Sequence, residues 1–169
     1  MRFVTAITLS LALASTANAQ QARSFDFKGV KATDRYEQHK DAFERCEKYK
    51  NFEGCRFKDI MVAGTIVGPQ AGWAPDGSLV LIRANFTSVQ FSRIAEGFRE
   101  KWGKPDVYVE QNVQNAYGAK LAIPIATWKF AEGEMTLVGP DFRQNASFEF
   151  QTHARKAYID GLNKPKADF

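Results

Sequence analysis

The sequence predicts an α+β domain, a two-layer sandwich with two main helices on one face of an antiparallel sheet. Three observations predict it. One is an apolar stripe at helical spacing through Phe91, Ile94, Ala95, Phe98 and Trp102, with start and stop signals at its ends. The second is a set of alternating or aromatic-rich segments that read as strands. The third is their order, a helix followed by paired strands, which occurs twice and leaves room for a weak internal duplication.

The elements follow in chain order. Residues 25–27 read as a short strand ended by Gly29. A first helix opens at Asp34, with Glu37 three residues on as a variant of the capping box. Tyr36, His39, Phe43 and Cys46 fall at i, i+3, i+7 and i+10 on one face of it. Residues 60–67 and 79–86 read as the strands of a hairpin whose long tip contains Trp73 and the tight turn Pro75-Asp76-Gly77.

The second helix carries the sharpest local signal. Thr87 and Gln90 fit a capping box, Phe86 and Phe91 a hydrophobic staple, and Gly103 with Pro105 a stop. Strands follow at 107–109, 121–130, 134–138 and 146–152, with Glu132-Gly133 turning a hairpin. Pro124 belongs near an edge or a strand start, because it has no N–H for a central ladder.

Residues 1–19 have the form of a cleaved export signal. Arg2 precedes an apolar run, and Ala17-Asn18-Ala19 supplies the A-x-A site. That run is too short to span a bilayer of ~30 Å, and position 20 is Gln rather than a lipid-accepting Cys. A single domain at 20–169, with a polar tail from about 158, is expected in the periplasm or secreted. Cleavage removes one basic and no acidic residue, so the formal charge falls from +4 to +3. Scattered charge of that size lacks the basic stripe of a nucleic-acid binder.

Fourteen phenylalanines point to a core built on aromatic burial. Cys46 and Cys55 are the only cysteines, and in an oxidising compartment they form a structural disulfide. Closing a ten-residue loop stabilises by about 2.5–3 kcal/mol in the chain-entropy model.

Signals for chemistry are sparse. His39 lies on the apolar face of the first helix and His153 at the end of the last strand. No G-x-S-x-G elbow, H-E-x-x-H or glycine-rich phosphate loop accompanies them, and no cofactor or metal is expected. Large aromatics on loops often anchor partners. Trp73, inside the Gly/Pro-rich hairpin tip, and Tyr117, in the polar run 111–120, are the candidates for partner binding.

Three features together support a resemblance. They are the Phe27-Lys28-Gly29 opening before the first helix and cysteine pair, the helix ending in Trp102-Gly103-Lys104-Pro105, and the closing segment 127–137. With these the chain resembles small exported bacterial proteins. More distantly it is similar to the helix-plus-sheet modules of β-lactamase inhibitor protein and small outer-membrane assembly lipoproteins. The resemblance implies binding or scaffolding without a catalytic centre, and carries no partner-contacting residue over. The expected function is an exported, non-enzymatic binding module whose partner is a protein or envelope component. The alternative is a small periplasmic hydrolase using His39 or His153 with a carboxylate.

Overall fold

The structure is a computed structural model and describes residues 23–49 and 52–155. The export signal at 1–19 and the polar tail from about 158 lie outside the described residues. β1 (Asp26–Phe27) and β2 (Val30–Lys31) form a small hairpin. α1 (Tyr36–His39) is one turn long and passes through a 3-10 turn at Lys40–Ala42 into β3 (Phe43–Lys48). There follow β4 (Glu53–Phe57), a minor hairpin of β5 (Met61–Val62) and β6 (Thr65–Ile66), then β7 (Gln70–Trp73) and β8 (Leu79–Thr87). α2 (Ser88–Trp102) leads to β9 (Val107–Gln114), β10 (Lys120–Lys129), β11 (Gly133–Val138) and β12 (Asn145–Thr152).

Eight strands make one antiparallel sheet in the order β3-β4-β7-β8-β12-β11-β10-β9. Its registers align Cys46, Cys55, Ala71, Ile82, Phe150, Met135 and Trp128 in one row across seven strands. Because paired residues share a face, this row and its neighbours Ala84, Phe148, Leu137 and Ala126 form the apolar side.

α2 packs on that side. Thr87 is its N-cap, and the Thr87 N–H donates to Gln90 Oε1 at 2.9 Å, as the capping box requires. Ile94, Ala95, Phe98 and Trp102 are buried, the face its periodicity predicts. Gly103, at φ 78, reverses the chain, and its carbonyl accepts the Trp128 indole N–H at 2.9 Å. The Phe98 ring meets Phe148 at 5.2 Å and Trp128 at 5.8 Å, both edge-on. Phe25 lies flat on Phe150 at 3.5 Å and Phe27 meets Phe57 at 5.8 Å, so the N-terminal hairpin fills the same layer.

The expected fold class is overturned. The described chain is mostly β, with one large sheet and only short helices in place of two main helices on a sheet. The first helix ends at His39, and Phe43 and Cys46 lie in β3. The i, i+3, i+7 spacing there is overridden by a non-local pairing: Cys46 faces Cys55 directly across β3 and β4, with Cα atoms 4.1 Å apart and the disulfide formed. An extended chain presents that sulfur to its partner, and with the helix goes the basis for a helix–hairpin duplication. The predicted strand at 60–67 is only the small β5–β6 hairpin, and β8 pairs instead with β7 and β12.

Phe98→Ala is expected to lower stability by ~3–5 kcal/mol in urea denaturation, since the ring is buried against two strands and leaves a large cavity. A loss below about 1 kcal/mol means that α2 does not hold the sheet in this way.

Candidate functional site

The other face of the sheet has no helix across it among the described residues, and its register makes a second row. Arg45, Arg56, Gln70, Arg83, Glu149, Thr136 and Thr127 lie side by side on β3, β4, β7, β8, β12, β11 and β10. Strands sit ~4.8 Å apart, so the guanidinium stems of Arg56 and Arg83 leave their strands roughly 10 Å from each other with Gln70 between. The adjoining row holds Glu47, Gly54, Gly72 and Leu81.

Those two glycines shape the surface. A Cβ on Gly54 would stand 3.0 Å from Tyr49 Cε2, and one on Gly72 2.9 Å from Leu81 Cγ. Their absence lets Tyr49 and Leu81 settle onto the strands. The Tyr49 and Phe52 rings stack at 4.8 Å, forming a wall beside the arginines. The resulting depression has a volume of about 230 Å³ and is lined by Arg45, Arg56, Gln70 and Arg83, with Glu44 and Glu47 at the β3 side, as well as this wall. It continues past Arg83 to Asn85.

Electrostatically the three arginines differ. Arg45 pairs with Glu47 at 2.9 Å, and Glu47 also accepts the Tyr49 hydroxyl at 3.1 Å. Arg56 and Arg83 have no ion-pair partner among the described residues. Glu149, which faces Arg83 in the register, accepts the Gln151 amide instead. Two free guanidiniums and an amide on three consecutive strands suit a carboxylate or phosphate.

A second, broader cleft lies at the sheet end and shares Tyr49 and Phe52 with the first. Arg35, Tyr36, Trp73 and Asp76 line it. Asp76 pairs with Arg35 at 3.1 Å and accepts the Ser78 hydroxyl at 2.6 Å. The Ser78 hydroxyl first, then its N–H and Arg35, hold the Asp76 pKa down to about 2.

The residues singled out in the sequence scatter. Trp73 is not on a loop: it ends β7, is 1 % exposed, and packs edge-on against Tyr36 and Phe43. Trp73 shares the core face of Ala71 on β7, and the register shift between Gly72 and Trp73 brings Leu79 of β8 to the same side, which a turn-rich sequence does not announce. Tyr117 does stand out, 96 % exposed at the tip of the β9–β10 hairpin, far along the sheet from the arginine row.

His39 and His153 are not brought together. His39 Nε2 lies 2.7 Å from Asp34 Oδ2. Partial burial works to raise the Asp34 pKa, but the Lys31 N–H and the His39 ring favour the carboxylate and the net displacement is downward. No serine or cysteine hydrogen-bonds to His39 among the described residues, and the contact closes a local turn. His153 is exposed, its backbone N–H donating to the Glu132 carbonyl. Cys46, Glu53 and Cys55 come within 4.8 Å of one another, but both sulfurs are spent in the disulfide. No family model matches the chain, and no similar curated protein or solved structure was found.

Two outcomes follow. Trp73→Ala is expected to cost ~3–5 kcal/mol of stability by denaturant titration. Trp73→Phe should cost less, because it also removes an indole N–H that has no acceptor among the described residues. For Asp76 the folded pKa of about 2 lies below the unfolded ~3.9, so its contribution is present above ~3.9 and is lost as pH falls through about 2. Thermal melts of Asp76→Ala between those pH values should fall less steeply than the parent's; equal slopes would sink the assignment.

Proposed function

We propose that this chain is an exported, non-enzymatic binding module that takes an anionic group of a protein or envelope component on the polar face of its sheet. The carrying observation is the Arg56–Gln70–Arg83 row, three donors on adjacent strands with neither arginine ion-paired among the described residues. Unpaired guanidiniums side by side repel each other, and an anion between them relieves that repulsion. The aromatic wall of Tyr49 and Phe52 adds an apolar surface beside the charge, a combination typical of recognition surfaces. Export is supported by the form of residues 1–19 and by the disulfide; no helix among the described residues is long and apolar enough to cross a membrane.

Calorimetric titration with a glutamate-rich peptide and with inorganic phosphate tests the reading. Binding of either probe should weaken as salt rises. Arg56→Ala or Arg83→Ala should each weaken it about tenfold or more, as expected for a lost charge-assisted hydrogen bond of ~1.5–3 kcal/mol. The double variant should abolish it while the melting temperature stays near the parent's. A lysine-rich peptide binding equally well, or Arg83→Ala without effect, overturns the proposal.

A further inference from the structure

The two edges of the large sheet are built in opposite ways. β3 carries a register shift between Phe43 and Arg45 and exposes Glu44, Arg45, Glu47 and Lys48. Bulges and charges are the devices that keep an edge from pairing with another chain. β9 lacks the bulge and nearly all of the charge. Its eight residues pair with β10 in unbroken register, contain no proline or lysine, and include one charge, Glu110. Val107, Tyr108 and Val109 are 40 %, 54 % and 48 % exposed.

The ladder shows which backbone groups are open. Pro124 has no N–H, and it faces Glu110; that pair is therefore a non-hydrogen-bonded one. The Asn115 N–H donates to the Ala119 carbonyl, and the Pro124 carbonyl accepts from Gly139 on the far side, both consistent with this phase. Odd residues of β9 thus bond inward, while Tyr108, Glu110, Asn112 and Gln114 turn N–H and C=O outward.

We infer that β9 is a self-pairing edge, and that two copies of this chain join antiparallel about a two-fold axis at Gln111. Only registers that oppose outward groups to outward groups make a ladder. Centring on Glu110 would set two carboxylates face to face, which disfavours that register. Centring on Gln111 opposes Glu110 to Asn112, Val109 to Val113 and Tyr108 to Gln114, with no like charges directly opposed. It pairs Tyr108 through Gln114, seven of the eight residues of β9, and a two-fold interface is the commonest way identical chains associate. The same register lays each Tyr117 tip beside the other copy's Lys104–Asp106 turn, giving that exposed ring a neighbour.

Sedimentation of the full chain over a range of concentrations should show a monomer–dimer equilibrium. Asn112→Pro deletes an outward N–H without touching the β10 ladder and should weaken dimerisation on the order of tenfold or more, two bonds being lost by symmetry. Gln111→Lys sets like charges across the axis and should act in the same direction. Since Cys46 and Cys55 are joined, Gln111→Cys adds the one free thiol and should give a disulfide-linked dimer under mild oxidation, whereas Glu110→Cys should not. Unchanged circular dichroism establishes that each variant is folded. A monomer at every concentration, a dimer indifferent to both edge variants, or equal cross-linking at 110 and 111 would overturn the inference. None of these readouts depends on the arginine row.

Discussion

The aromatic layer between α2 and the sheet is the contact on which everything else rests. A helix of fifteen residues has little stability alone, and a sheet buried on no face has no reason to stay flat against anything. Each supplies what the other lacks through Phe98, Trp102, Trp128 and Phe148, whose rings meet at 4.7–6.2 Å in tilted and edge-on arrangements. The Trp128-to-Gly103 hydrogen bond then fixes where the helix stops and where β9 begins. Phe25, against Trp102, Phe130 and Phe150, and Phe27, against Phe148 and Phe57, extend the layer toward β4, so a hairpin of two-residue strands is held by burial rather than by its own ladder.

Burying one face so completely leaves the second free for other uses. Strand alternation delivers the same number of residues to both sides, and here the outward set is arginine, glutamine, glutamate and threonine. Function on such a face needs shape as well as charge. Gly54 and Gly72 provide it by letting Tyr49 and Leu81 lie close to the backbone, so a polar depression forms on a surface that would otherwise be corrugated but shallow.

What the sequence made legible divides along local and non-local lines. α2 could be read whole because its capping box, staple, stripe and glycine stop are all written within twenty residues. The four C-terminal strands were legible in position because alternation is also local, although β9 runs on to Gln114 through polar residues. The first helix failed because Tyr36, His39, Phe43 and Cys46 satisfy a helical period by coincidence, while the Cys46–Cys55 pairing that decides the matter depends on β4. β4 and β7 had no local signal: Glu53–Phe57 and Gln70–Trp73 contain glycine and few branched residues, and they are strands because their neighbours are. The arginine row was invisible for a related reason. Arg45, Arg56 and Arg83 are scattered in sequence, and only the registers of four strands place them together. Trp73 misled in the opposite sense, since a Gly/Pro-rich context points to a loop, whereas on β7 the ring shares the core face of Ala71 two residues before it.

The two ends of the sheet are stabilised by different means. At the β3–β4 end the disulfide ties neighbouring strands covalently, and the Tyr49 and Phe52 rings stack beside it. The wall beside the arginines is therefore held independently of the core, so its geometry can survive with its flanks open to solvent. At the opposite end β9 buries none of its side chains, and β10 contributes only Ala126 and Trp128 to the core. Backbone hydrogen bonds to a single neighbour hold that strand. A second backbone partner at such a strand would exchange water for a ladder without disturbing a core contact, because no β9 side chain is buried. The constraint that fills the middle of this fold thus leaves a stapled polar face at one end of the sheet and an open backbone edge at the other.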